Sequence, residues 1–157
     1  MKILIVFYSR TGVTRRAATE LAAALGADVE EIHDTKDRHG VLGGMGGGKD
    51  ALLKKLAVIE PVSRRPAEYD LVVVGTPVWA FTMAPAIRTY LTEHAAEIAS
   101  AALFCTLGGS GAAKTFRDMT AALGKPPVAT LELIDRKVKA GECSEAMRQF
   151  VETIRKA

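Results

Sequence analysis

The chain has 157 residues, about the size of one ordinary domain, and 48% of them are hydrophobic while 25% are charged. This composition excludes intrinsic disorder, and no apolar run approaches the roughly 20 residues of a membrane span. The net charge of +3 is small and the basic residues are scattered, which argues against a nucleic-acid-binding protein. With only two cysteines, Cys105 and Cys143, a disulfide framework is excluded. We therefore expect a single domain, 1–157, in the cytoplasm, with neither nucleic acid nor membrane as a partner.

Short apolar runs alternate with longer helical patterns along the chain, which is typical of a parallel sheet with helices on both faces. Three runs are almost unbroken, as in strands buried on both faces: 2–8, 70–75 and 101–107. Two further strands, 28–32 and 128–134, contain Glu or Thr, which predicts that they lie at the sheet edges. The pattern predicts a three-layer, doubly wound α/β fold with five parallel strands in the order 2-1-3-4-5.

Helical patterns occupy the connections between these strands. Two helices, 13–25 and 114–123, are each followed by a glycine, the residue that helix C-termini prefer. Pro85 begins a third helix, because proline is favoured in the first helical turn. A last helix near the C-terminus has an apolar face made of Met147, Phe150, Val151 and Ile154.

A glycine-rich segment, 39–49, lies between the second and third strands and contains six glycines. Gly43–Lys49 has the spacing of a nucleotide phosphate loop, but Asp50 follows where Ser or Thr would hold magnesium, and no apolar strand precedes it. We interpret Gly40–Lys49 as a mobile surface loop. The polar residues 33–39 lack the repeated spacing of metal ligands, so we expect no metal site.

The ligand site of such a sheet lies beyond the carboxyl ends of its strands, where the strand order reverses. Here that point is between the first and third strands, and three loops, 9–14, 76–81 and 106–111, follow strands at this edge. Candidate binding residues are Ser9, Arg10, Thr11, Gly12, Val13 and Thr14 in the first loop, Thr76, Pro77, Val78, Trp79, Ala80 and Phe81 in the second, and Thr106, Leu107, Gly108, Gly109, Ser110 and Gly111 in the third.

The first loop has hydroxyls at Ser9, Thr11 and Thr14 and leads directly into a helix, whose free amides and positive dipole end attract anions. It lacks the lysine and the magnesium ligand of a triphosphate site, so it favours a single phosphate. Helix capping by Ser9 or Thr11 is the alternative.

Ser9–Thr14 resembles the T/S-x-T-G-x-T phosphate loop of the flavodoxin family, and Thr76–Trp79 resembles that family's first flavin-flanking loop. The glycine-rich loop after the fourth strand falls where the second flanking loop belongs. The resemblance covers the whole chain and implies a flavodoxin-like fold with non-covalent FMN. It implies that the phosphate binds at 9–14 and that the isoalloxazine ring lies between 76–81 and 106–111.

A planar ring favours an aromatic neighbour, and Trp79 is the one tryptophan of the chain. We therefore expect Trp79 to contact the flavin, and burial in the core is the alternative. The backbone amides of Gly108 and Gly109 can approach the pyrimidine edge, because glycine has no side chain to prevent it.

Two departures from the family's electron carriers bear on function. Those carriers are strongly acidic, whereas this chain is basic, and they usually place an aromatic residue where 107–111 reads Leu-Gly-Gly-Ser-Gly. This loop is similar to that of flavodoxin-like quinone reductases, and it leaves one face of the ring open.

Three functions therefore remain open. The first is electron transfer through FMN to a redox partner protein or a small acceptor such as a quinone. The second is an NAD(P)H-dependent quinone or FMN oxidoreductase, and a flavodoxin-like binding module without flavin is the weakest. In each case we expect a monomer or a small homo-oligomer.

Overall fold

The computed structural model describes residues 1–35 and 56–157. The predicted mobile loop Gly40–Lys49 therefore lies outside the described residues. A six-stranded sheet forms the centre, and its five parallel strands have the order β2-β1-β3-β5-β6. The strands are β1 (Ile3–Phe7), β2 (Asp28–Glu31), β3 (Leu71–Trp79), β4 (Thr82–Met83), β5 (Ala101–Leu107) and β6 (Thr130–Ile134). Counted over the parallel strands alone, this is the predicted order 2-1-3-4-5, so the predicted fold class is confirmed.

Helices cover both faces of this sheet. They are α1 (Val13–Leu25), α2 (Pro85–His94), α3 (Ala112–Leu123), α4 (Asp135–Ala140) and α5 (Ser144–Arg155). Short 3-10 turns lie at Pro66–Glu68 and Ala95–Glu97. One face packs against α1, α4 and α5, and the other packs against α2 and α3. No helix in the described part of the chain is both long and apolar enough to cross a membrane.

The central strand β1 shows why an unbroken apolar run forms the middle of three layers. Side chains alternate between the two faces of a strand. Ile3, Ile5 and Phe7 therefore pack in the core under α1 and α5, whereas Leu4 and Val6 pack in the core under α2. All five are buried. In contrast, β6 alternates exposed and buried residues. It lies at the end of the strand order, which confirms its predicted edge position.

Position 75, in the middle of β3, has no room for a side chain. In the sheet register it lies between Phe7 of β1 and Phe104 of β5. A Cβ atom at this position would lie 2.1 Å from Cζ of Phe104. The phenyl ring therefore covers the space that a side chain at residue 75 would need, and only glycine fits.

The prediction that 76–81 forms a loop is wrong for most of that segment. β3 continues to Trp79, a two-residue turn follows, and β4 pairs antiparallel with β3 through Val78–Met83 and Trp79–Thr82. Both turn residues, Ala80 and Phe81, have positive φ, 49° and 66°. This left-handed pair closes tight hairpins, but neither residue is the Asn, Asp or Gly that normally indicates such a turn.

One helix prediction also needs correction, and one helix was missed. The helix predicted at 114–123 begins two residues earlier, at Ala112, because Gly111 takes the N-cap position. The six-residue helix α4 was not predicted, since a segment of that length is too short to show a helical period. It begins directly after β6, and this places Asp135 at the edge of the sheet where the candidate loops lie.

Candidate functional site

The first loop presents free backbone amides at the start of α1. Gly12 is the N-cap, with φ 100°. The amide of Arg16 donates the first helical hydrogen bond to the carbonyl oxygen of Gly12. The four preceding N–H groups therefore lack helical acceptors. Ser9 Oγ accepts two of them, from Gly12 at 3.1 Å and from Arg15 at 3.2 Å. Ser9 therefore caps only part of the first turn, and the amides of Val13 and Thr14 can still donate hydrogen bonds to an anion.

A buried pair of hydroxyls joins this loop to the end of β5. Thr14 Oγ1 and Thr106 Oγ1 are 2.8 Å apart, and both side chains are almost fully buried. Each hydroxyl carries one hydrogen, and only one of the two can lie between the oxygens. The second hydrogen is left to donate to another acceptor, which makes the pair a potential donor to a ligand.

Trp79, the last residue of β3, faces the first loop. Its ring is half-buried, contacts the ring of Tyr8 edge-on at a centroid distance of 5.6 Å, and has Cζ of Arg10 5.7 Å from its centroid. Cations at this distance from an indole face are attracted to it. Arg10 Nε is buried and has no hydrogen-bond partner in the structure. A buried donor of this kind costs about 1–3 kcal/mol unless an acceptor is supplied, and a ligand could supply one.

The hairpin that holds Trp79 is fixed at its base by Thr76. The buried hydroxyl of Thr76 donates to the carbonyl of Pro77 at 2.8 Å and accepts the amide of Ala84 at 3.0 Å. Both bonds stay within the hairpin and its exit. Thr76 therefore positions the neighbouring site residues, and its hydroxyl is already engaged.

A charged cluster fixes β4 to the helices beside it. Asp118 Oδ2 accepts hydrogen bonds from Thr82 Oγ1 and from Lys114 Nζ, both at 2.6 Å, and Arg88 donates to Thr82 Oγ1 at 3.0 Å. Burial acts to raise the pKa of Asp118, but the hydrogen bonds from Lys114 and Thr82 and the charges of Lys114 and Arg88 outweigh it, so the pKa lies below its ordinary value. Since Thr82 pairs with Trp79, this cluster indirectly holds the tryptophan.

The third loop has free space around its tip, whereas its last residue, Gly111, is in close contact with the hairpin. A Cβ built on Gly108 or Gly109 meets no atom within 4 Å, and Ser110 is exposed. At Gly111, which has φ 108°, a Cβ would lie 2.9 Å from Val78 Cγ1 and 3.2 Å from Phe81 Cδ1. The hairpin tip therefore packs directly on the backbone of Gly111, while space remains beside the two preceding glycines.

The end of β5 contributes core residues as well as site residues. Leu107 is buried against Cys105 and Ala112, so its side chain belongs to the core although it was a candidate binding residue. Cys105 is fully buried, and burial raises the pKa of its thiol to about 12. It therefore behaves as a small apolar residue.

A cavity of about 110 Å³ lies between the first loop, the end of β3, Thr106 and Asp135. It is lined by Arg10, Thr11, Val13, Thr14, Pro77, Val78, Trp79, Thr106 and Asp135. Most of the candidate residues of the first loop thus meet those of the hairpin, as the topology predicts. Ala80, Phe81 and residues 107–111 are not among the lining residues. Two larger hollows, of about 270 and 300 Å³, lie along α5, but they bring together no comparable set of free amides, hydroxyls and an aromatic ring.

Asp135 is the functional candidate that sequence reasoning missed. It follows the last residue of β6, which pairs with Leu107 at the end of β5. The signal that could have found it is its place: a polar residue at the carboxyl end of a strand next to the site. Elsewhere, no group of three or more His, Cys, Asp or Glu residues in 1–35 and 56–157 is arranged to hold a metal ion.

The family model described as Flavodoxin matches residues 52–154, which is more than half of the chain. The chain belongs to the flavodoxin family. The resemblance drawn from the sequence is therefore confirmed. The matched segment contains the hairpin, the third loop and Asp135, whereas the first loop precedes it. No curated protein sequence matches the chain significantly.

Solved structures of the flavodoxin type share this fold. A flavoprotein from Lactobacillus acidophilus in complex with FMN has a TM-score of 0.74 and 20% identity, with 88% of this chain and 97% of that chain covered. A two-electron reduced flavodoxin from Megasphaera elsdenii has a TM-score of 0.55 and 22% identity, covering 96% and 98%. An NADH:FMN oxidoreductase in its apo form has a TM-score of 0.58 and 13% identity, covering 98% and 87%. At these identities the likeness shows the fold.

Proposed function

We propose that this chain is a flavoprotein that binds FMN non-covalently and transfers electrons through it. The observation that carries the proposal is the convergence of free helix amides, buried hydroxyls and the Trp79 ring on one cavity at the carboxyl edge of the sheet. Membership of the flavodoxin family and the FMN complex of the Lactobacillus acidophilus neighbour support it. When bound, FMN supplies one- and two-electron transfer chemistry.

The phosphate would bind at the start of α1. The amides of Val13 and Thr14 have no helical acceptor there, and the positive end of the helix dipole favours an anion. Ser9 Oγ accepts two amides in this structure, so its own hydrogen is free to donate. The loop therefore offers several donors without a lysine or a metal ion, as a single phosphate requires.

The ring would lie at the mouth of the cavity. A volume of about 110 Å³ is well below the roughly 300–1,000 Å³ of a pocket that encloses a whole ligand, so only part of FMN fits inside. Trp79 offers an aromatic surface at one side, and the space beside Gly108 and Gly109 admits a flat group close to backbone amides. Backbone amides at the pyrimidine edge would also tune the reduction potential.

The bare tip of the third loop favours a second candidate function. No side chain within the described residues fills the space next to Gly108 and Gly109, and an open ring face is what a hydride donor or a quinone needs. We therefore keep an NAD(P)H-dependent quinone or FMN oxidoreductase as the alternative to a carrier between redox partners. The NADH:FMN oxidoreductase neighbour shows that this fold can carry such an activity.

The visible absorption spectrum of the purified protein tests flavin binding directly. We expect a yellow protein, or a colourless one that becomes yellow with added FMN, and chromatography of the released chromophore should identify FMN. Titration with riboflavin and with FAD provides the controls for the phosphate and for ligand size. A colourless protein that leaves the spectrum of added FMN unchanged would overturn the proposal.

Steady-state kinetics separate the two functions. An oxidoreductase should oxidise NADH or NADPH in the presence of a quinone much faster than the same concentration of free FMN does. A carrier should show no such acceleration, yet should exchange electrons with an acidic redox protein, since opposite charges favour docking on this basic chain. The salt dependence of that exchange is the check on the electrostatic part.

A further inference from the structure

The two edge strands of the sheet differ in what lies beside them. Along β2, the segment 59–64 covers the edge. The amides of Ser63 and Arg64 donate to the Glu30 carboxylate at 2.9 and 2.7 Å, and Arg64 also bonds the carbonyl of Val29. Along β6, no hydrogen bond within 1–35 and 56–157 engages the outer edge. Free backbone groups on an edge strand are a template for pairing with another strand.

These free backbone groups belong to Thr130 and Glu132. The amide of Leu103 in β5 donates to the carbonyl of Ala129 at 3.0 Å, and Leu103 is opposite Thr130 in the register. Along a paired strand, the residues whose backbone groups bond a given neighbour alternate, so Ala129 and every second residue after it bond β5. The N–H and C=O groups of Thr130 and Glu132 therefore point away from the sheet, and both residues are exposed.

A groove of about 270 Å³ lies between this edge and α5. Leu131, Ala146 and Phe150 form its apolar part, and Gln149 and Thr153 line it from the helix. The helix contributes no charge to the lining, because its charged residues form ion pairs with one another outside the groove. An apolar side chain of an added strand could therefore enter the groove without removing a helix charge from water.

We propose that the occupant of this edge is a second copy of the chain, whose β6 pairs antiparallel with β6 about a two-fold axis at Leu131. In this arrangement Thr130 of each chain lies opposite Glu132 of the other, and each such pair exchanges two backbone hydrogen bonds. The sheet then continues through both chains. The inference is independent of the proposed function, since the groove shares no residue with the cavity proposed to bind FMN.

Charge and strand length favour this centre over its neighbours. With the axis at Glu132, two carboxylates would lie directly opposite each other, which is destabilising. With the axis at Leu133, Thr130 would lie opposite Arg136, which is already in α4. With the axis at Leu131, the Thr130 hydroxyl can donate to the Glu132 carboxylate. The two Leu131 side chains then lie side by side on the face of the sheet that packs against α5, where the groove is.

Sedimentation velocity of the full chain over a range of concentrations tests the dimer. We expect reversible dimerisation with a Kd in the micromolar range, because the strand interface is small. Thr130→Pro removes an outward N–H and leaves the bonds to β5 in place. It should weaken dimerisation about thirtyfold, because one bond lost from each chain is two bonds lost from the dimer. Thr130→Ser keeps both the amide and the hydroxyl, so this control should dimerise like the wild type.

Cysteine cross-linking tests the position of the axis independently. Under oxidising conditions Leu131→Cys should give a covalent dimer, because the two copies of this residue face each other at a distance that a disulfide spans. Leu133→Cys, which also replaces a buried leucine of β6, is the matched control and should not cross-link. The native thiols of Cys105 and Cys143 are buried, so they do not compete. Thermal unfolding verifies that each variant is folded.

The possible outcomes either support or overturn the proposal. A wild-type chain that stays monomeric well above the micromolar range overturns it and leaves the edge to a strand of another protein. A dimer that folded Thr130→Pro leaves intact, or a disulfide at position 133 instead of 131, overturns it as well. A dimer that is lost in Thr130→Pro, kept in Thr130→Ser and cross-linked at position 131 supports it. If Thr130→Pro does not fold, the two cysteine variants decide.

Discussion

Helices α1 and α3 begin with the same backbone device at the same edge of the sheet. Each has a glycine N-cap with positive φ, 100° at Gly12 and 108° at Gly111, and each glycine carbonyl accepts the first helical hydrogen bond at 3.0 Å. Their surroundings differ. The start of α1 is lined by the hydroxyls of Ser9 and Thr14, whereas the start of α3 is covered by Val78 and Phe81 of the hairpin.

A helix start alone therefore does not define an anion site. Both helices leave first-turn amides without helical acceptors, and both have a positive dipole end. Only at α1 do hydroxyl groups and a cavity complete the shell around those amides. At α3 the hairpin tip takes the place of a ligand, and the helix start anchors the hairpin instead.

The largest expected effect is on the free energy of unfolding, when the N-cap glycine of α1 or of α3 is replaced by alanine. Gly111→Ala should lower the free energy of unfolding by about 3 kcal/mol, because positive φ disfavours alanine and the new Cβ would clash with Val78. Gly12→Ala should cost about 1 kcal/mol, since its Cβ would meet only the end of Arg15, at 3.6 Å. Urea denaturation measures both, and equal losses would contradict the assignment of α3 as the hairpin anchor.

Buried first-turn threonines provide the next comparison. Thr14→Val should weaken FMN binding roughly thirtyfold, since it removes a hydroxyl donor at the proposed phosphate site. Thr115→Val is the control on α3, where the hydroxyl donates at 2.8 Å to the carbonyl of Gly111. It should lower stability by about 1 kcal/mol and leave FMN affinity nearly unchanged. Fluorescence titration of FMN is the measurement, and similar losses of affinity in both variants would remove the distinction between the two helix starts.

Trp79 allows the ring contact to be separated from the phosphate contact. Trp79→Ala should weaken FMN and riboflavin by about the same factor, roughly tenfold, because an aromatic contact is independent of the phosphate. It should also change the visible spectrum of the bound flavin. Thr14→Val, in contrast, should weaken FMN much more than riboflavin. An unchanged spectrum and affinity in Trp79→Ala would assign the tryptophan to the core, where it already packs against its neighbours.

The smallest effect concerns the two serines of these loops. Ser9→Ala should lower the free energy of unfolding by about 1 kcal/mol, since the amides of Gly12 and Arg15 lose their acceptor. Ser110→Ala lies on the exposed tip of the third loop and should change stability by less than about 0.5 kcal/mol. Thermal unfolding of both variants checks this, and a larger loss in Ser110→Ala would show that the third loop has contacts of its own.

The sheet and the position of the site were predictable because both depend on patterns that sequence displays directly. Unbroken apolar runs indicate strands covered on both faces, and β1 and β5 are such strands. Strand order then determines which loops share an edge. The fold predicted from these patterns is confirmed. The family, which was identified from the resemblance of the segments Ser9–Thr14 and Thr76–Trp79 to flavodoxin loops, is confirmed as well. The site residues themselves remain predictions until ligand binding is measured.

The hairpin could not be predicted from the sequence, and Asp135 was missed for a different reason. Pro77 normally interrupts a strand, and the turn at Ala80 and Phe81 contains no residue that favours positive φ, so the local sequence opposes the hairpin that tertiary packing imposes. The predicted strand order already places the end of β6 beside β5, so Asp135 lies at the same edge of the sheet as the candidate loops. It was missed because the candidate residues came only from the loops after the three central strands.

The deep burial of Cys105 bears on the proposed electron transfer through FMN. Reduced flavins can react with dioxygen to give peroxide, and peroxide attacks thiolates in preference to thiols. Burial raises the pKa of Cys105 to about 12, so the side chain is a thiol at pH 7, and its sulfur is out of reach of solvent. Cys105 precedes Thr106, which lines the proposed FMN site, and its burial protects it from such side reactions. If the proposed function holds, repeated turnover in air should leave this cysteine unmodified.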